Sequence, residues 1–87
     1  MDRTHALRAL FDLACASLSG RQARIRFQDT ERAAAVRTVD VLALVFEPPR
    51  WLVAAWSSEH RSLRLLDVAR VLSVRRTRRR AGPPPAA

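Results

Sequence analysis

The chain has no lysine and no tyrosine, and only one cysteine and two glycines among its 87 residues. Cys15 alone cannot close an internal disulfide, which favours a reducing compartment. No window approaches the ~20 consecutive apolar residues of a membrane span. The apolar-rich stretch from Leu7 to Leu18, behind Arg3 and Arg8, is broken by Arg8 and Asp12, which argues against an export signal. The cytoplasm is therefore the expected location. His5, Cys15 and His60 are too far apart in the sequence to make a chelating pair. A Gly-rich phosphate loop is missing, and the eight acidic residues are scattered singly. Nucleophilic catalysis needs a Ser, Cys or Thr beside a base. Cys15 instead falls in a helical apolar pattern and reads as a small buried hydrophobe, and His5 reads as a solvated residue of the first helical turn. No catalytic residue, metal or cofactor is expected, so the chain does not read as an enzyme.

Hydrophobic content of 48% is enough for one core, and 87 residues make one small domain. A domain of this size buries only about 60% of the surface its unfolded chain exposes, so each large apolar residue matters. The formal charge is +8, but five arginines (Arg75, Arg76, Arg78, Arg79 and Arg80) fall within residues 75 to 80. Residues 1 to 74 then hold 11 arginines against 8 acids, or +3. All 16 basic residues are arginine, and alanine is abundant, as in a GC-rich coding sequence. Arginine enrichment by itself is thus no sign of phosphate binding.

The pattern predicts one helix over about 5–19, with Thr4 as N-cap and Leu7, Leu10, Phe11, Ala14 and Leu18 on its apolar face. Gly20 is placed to end it in a left-handed conformation. Strands follow at about 22–28, 36–46, 51–57, 61–66 and 71–76. The second changes from mixed to continuously apolar, which suggests a bulge or sharp bend near Asp40–Val41. The third carries Trp51, Val53 and Ala55 on one face and Leu52, Ala54 and Trp56 on the other. A strand apolar on both faces is either central in a small barrel or bears a binding surface. Trp51 is assigned to the core, and Trp56 to either core or surface. Residues 67–70 read as a single helical turn. Gly82 and three prolines end an Arg/Pro-rich tail, 77–87, expected to be disordered. The expected fold is mainly β with one N-terminal α-helix, a small five-stranded, partly open β-barrel over 1–76 whose helix caps one opening.

Four segments resemble the WYL domain, a bacterial regulatory module. Trp51-Leu52-Val53 stands where that family has Trp-Tyr-Leu. Arg24-Ile25-Arg26-Phe27 is similar to its first strand, Arg-x-Arg-Tyr. The segment from Arg37 to Val45 is similar to its Arg-x-Val-Glu-Pro-Leu-Gly-Leu strand. Leu66 to Val71 sits where the family has Phe-Arg-Leu-Asp-Arg-Ile. The resemblance implies an Sm-like (Src-homology-3-like) barrel and a ligand patch of basic, aromatic and small polar residues, matched here by Arg26, Trp56 and Ser57. Three departures bear on that patch: Leu52 replaces the tyrosine, Asp67 the family's arginine and Ala69 its aspartate.

Arginines beside an exposed ring are what single-stranded nucleic acid or a nucleotide requires: cations for phosphate, a flat surface for the base. Arg24, Arg26, Trp56, Ser57, Arg61, Arg64 and Arg70 are the expected ligand contacts, on a face running from strand one to strand four. Arg75, Arg76, Arg78, Arg79 and Arg80 are expected to meet phosphates without sequence preference. The expected function is ligand sensing in transcriptional control, with a helix-turn-helix DNA-binding partner or domain supplying operator recognition. The alternative is a protein-interaction or homodimerisation module that has lost the ligand.

Overall fold

The structure is a computed structural model and describes residues 3–82. Helix α1 (Arg3–Ser19) is followed by β1 (Arg21–Thr30), β2 (Ala33–Glu47), β3 (Arg50–Ser57) and β4 (Ser62–Asp67). A 3-10 turn (Val68–Arg70) then leads into β5 (Val71–Arg80). Gly20 ends the helix at φ +65, a conformation that costs glycine nothing. Asp67 caps the 3-10 turn, its Oδ1 accepting from the Ala69 N–H at 2.9 Å. Thr30 Oγ1 accepts from the amides of Arg32 and Ala33 and closes the β1–β2 turn.

All five strands form one antiparallel sheet in the order β4-β3-β2-β1-β5. The expected barrel is corrected to an open sheet, because β4 and β5 are its two edges and share no ladder. The chain leaves the short β4 directly through the 3-10 turn, and β5 then pairs with β1 instead. Helix α1 covers the inner face over β1, β2 and β5. The core comprises Ala9, Leu13 and Ala16 of the helix, Ala23, Ile25 and Phe27 of β1, and Val39, Val41, Val53, Ala55, Val68 and Val71. The bend expected near Asp40–Val41 is a bulge between Val41 and Ala43.

Four sequence expectations change. The helix buries Ala9, Leu13 and Ala16, while Leu7, Phe11 and Leu18 are 61%, 65% and 89% exposed. Alanines at the contact let α1 lie close to the sheet, so the bulkier stripe faces outward. Trp51 is 41% exposed and not core; it meets Phe46 with centroids 5.0 Å apart at a tilt of 41°. His5 is half-buried rather than solvated, and its Nε2–H donates to the Val71 carbonyl at 2.8 Å. Finally, residues 77–80, assigned to a disordered tail, belong to β5. β1 begins at Arg21, one residue after the helix, and its first residues need a ladder partner, which Arg76 and Arg80 supply. Ala81 N–H donates to Gly20 O at 2.8 Å and Gly82 N–H to Asp40 Oδ2 at 3.2 Å. The remainder of the expected tail, 83–87, lies outside the described residues.

Candidate functional site

Continuing β5 through Arg80 fixes the five C-terminal arginines on an edge strand beside α1. Between the helix and β5 lies an open groove of about 710 Å³. Arg8, Arg21, Arg75, Arg76 and Arg78 line it together with Phe11, Cys15 and Val74. Arg8 pairs with Asp12 at 3.4 Å, the one arginine–carboxylate ion pair among the described residues. Arg21 Nη1 donates to the Arg78 carbonyl at 2.9 Å and so ties the two strands at the groove's end. The Phe11 ring stands largely free beside these guanidiniums. Cys15 is half-buried here, short of the full burial expected.

On the opposite, outer face of the sheet, Arg24, Arg26, Arg75, Val36 and Ser73 border a second hollow of about 330 Å³. Arg75 reaches both hollows, so the basic surface wraps round β5. Its cost is visible in the register. Arg24 is directly opposite Arg75, and Arg21 opposite Arg80. Like charges facing each other across a ladder destabilise it, and a bound polyanion removes that repulsion.

The other expected contacts are elsewhere. Following the ladders from Ile25↔Arg37 to Val41↔Ala55 and Ala55↔Arg64 places Arg64 on the inner face, opposite to Arg24 and Arg26. The expected face from strand one to strand four therefore divides between two sides of the sheet. Arg64 lies with Ser57, Arg37, His60 and Ser62 in an inner cleft of about 150 Å³. Arg61 occupies the β3–β4 turn at φ 50, exposed. Trp56 is half-buried on the outer face opposite Leu63, away from the arginine cluster. There it joins Ala43, Val45, Leu52, Ala54 and Leu65 in three cross-strand rows of apolar residues. Arg70 shares a hollow of about 290 Å³ with Arg50, Asp29 and Asp67. Two carboxylates there balance two guanidiniums, and Asp67 also serves as the cap. Arg79 is exposed on β5 and its amide donates to Thr77 Oγ1.

Phe11 and Arg8 were missed by sequence reasoning because a helix with two apolar stripes does not say which stripe meets the sheet. Arg21 was missed because β1 seemed to begin beyond it.

The profile of the WYL domain matches residues 8–76. The chain belongs to the WYL domain family. This WYL domain superposes on a solved structure, proteasome accessory factor B/C (PafBC) of Arthrobacter aurescens, with a TM-score of 0.85 and 23% identity. The match covers 93% of this chain and 13% of that one, so the two share a fold over a small part of PafBC. No curated protein matches the chain. Among the described residues, no helix is long and apolar enough to cross a membrane.

Proposed function

We propose that this WYL domain is a non-catalytic sensing module of transcriptional control. It binds a single-stranded, nucleic-acid-derived anion in the groove between α1 and β5. The observation that carries the reading is the exposed Phe11 ring beside five arginines, only one of which has an acidic partner. Guanidiniums on a strand edge track a phosphate backbone, and a free ring accepts any base by stacking. Operator recognition would come from a helix-turn-helix partner or domain.

The test is fluorescence anisotropy with short single-stranded DNA. Base–aromatic stacking contributes about 1–3 kcal/mol, so Phe11→Ala should weaken binding roughly 5- to 150-fold. Removing two phosphate contacts with the Arg76→Ala, Arg78→Ala double variant should flatten the slope of log affinity against log salt by about 1.4, at ~0.7 per contact. Undiminished binding in both variants would rule out the groove.

The second reading, a protein-interaction or dimerisation module, draws on the outer apolar rows. Val45, Leu63 and Leu65 are 43%, 54% and 62% exposed there. Light scattering that gives a dimer at all concentrations, with no thermal shift from DNA, would favour it.

A further inference from the structure

We propose that β4 pairs antiparallel with β4 of a second copy of this chain, joining the two sheets into one dimer. β4 is an edge strand, and among the described residues it packs mainly on β3. The backbone groups along its other side have no ladder partner, the state in which an edge takes up another strand. The two edges of the sheet differ in what protects them. β5 carries Arg75, Arg76, Arg78, Arg79 and Arg80, whose like charges resist a second basic strand. β4 (Ser62–Asp67) presents Leu63 and Leu65, 54% and 62% exposed, on its outer face. One open and one guarded edge per sheet allow a closed pair of copies and no longer chain of them.

The chemistry of β4 fits a second copy of itself. The strand is cationic at its start, with Arg61 and Arg64, and anionic at its end, with Asp67. An antiparallel copy sets the cationic start of one against the anionic end of the other, while a parallel copy sets like against like. Side chains directly opposite each other share a face. Leu63 and Leu65 turn outward and Arg64 and Leu66 inward, so outer residues must oppose outer residues. Two such registers keep five opposed positions within β4. One sets Arg64 against the partner's Arg64, which like-charge repulsion disfavours. The other sets Leu65 against the partner's Leu65, Arg64 against the partner's Leu66 and Leu63 against the partner's Asp67. It runs the outer row of Ala43, Ala54 and Leu65 straight into the same row of the second copy. Net charge does not oppose this contact. Four strand spacings of ~4.8 Å put β5 about 19 Å from β4 along the sheet, about twice the screening length at physiological salt. Both α1–β5 grooves then lie at the far ends of the dimer and stay open. The pairing is thus independent of DNA binding, and it gives the second reading above a definite geometry.

The test begins with sedimentation equilibrium of the chain. A contact between two short strands buries little area, and interfaces below ~1,200 Å² are weak, so the mass should move from dimer to monomer on dilution. Leu65→Lys puts two ammonium groups opposite each other and should weaken the dimer roughly tenfold, with a melting curve showing that the variant is folded. Val45→Glu charges the outer face away from the edge and should dimerise as the parent does. Disulfide trapping in a Cys15→Ser background reads the register. Leu65→Cys should cross-link on oxidation, whereas two copies of Leu63→Cys stand about 14 Å apart, four residues at ~3.4 Å each, and should not. Phe11→Ala should also dimerise as the parent does, so the groove can fail its own test with the dimer intact. A monomer at about 1 mM, or a dimer lost with Val45→Glu and kept with Leu65→Lys, overturns the edge pairing. Equal cross-linking at positions 63 and 65 overturns the register.

Discussion

Single residues in this domain act through backbone conformation or through the side of α1 they occupy. Gly20 sits at φ +65 with nothing within 4 Å of where a Cβ would stand. Gly20→Ala therefore meets no clash, and its cost is the left-handed backbone alone, about 1 kcal/mol, readable as a lower thermal midpoint. Leu13 and Leu18 are the same residue type on one helix, at 0% and 89% exposure. Leu13→Ala should cost about 2.7–5 kcal/mol, whereas Leu18→Ala should stay within about 0.5 kcal/mol, by urea denaturation. Gly20 was legible in the sequence because a residue without a Cβ, at the end of a helical pattern, enters the left-handed region at no steric cost. Phe11 was not, since Leu7, Phe11 and Leu18 keep helical spacing as well as Ala9, Leu13 and Ala16 do. The sheet selected the smaller stripe through close approach, a tertiary preference that periodicity does not encode.

Among the elements, β5 departs furthest from expectation and matters most for binding. Arg78, Arg79 and Arg80 read as part of a disordered tail, yet with Arg75 and Arg76 they lie along an edge strand with one side of its backbone paired to β1. Hydrogen bonding to β1 outweighs the mutual repulsion of Arg24 with Arg75 and Arg21 with Arg80. The charge also discourages another strand from adding to that edge. Arg24→Glu turns a like-charge pair into an opposite one. It should raise stability by about 0.2–1 kcal/mol in low salt, seen as a higher thermal midpoint, and should weaken single-stranded DNA at the same time. A variant that is more stable and binds DNA equally well would remove Arg24 from the interface. The bulge in β2 was legible because its apolar pattern changes within one strand. The true length of β5 was not, because it is set by the pairing of Arg80 with Arg21, far earlier in the chain.

At the level of the whole molecule, the order of motifs identified the family and the mainly β architecture, but not the closure of the sheet. Closure depends on whether β4 and β5 meet, which no local pattern reports. It also could not assign Arg26 and Arg64 to opposite faces, since that follows from counting register through three ladders and one bulge. The extra residue in β2 behaves like a frameshift in the alternation of side chains. Upstream, odd-numbered positions such as Val39 and Val41 turn inward; downstream, Leu44 and Phe46 take over that role. Deleting Leu42 would remove the extra residue and leave regular alternation, Val41 inward, Ala43 outward and Leu44 inward, with every pairing to β3 kept. That variant should keep a cooperative melting transition, whereas deleting Leu42 and Ala43 together would send Leu44 outward and Val45 inward and should abolish it.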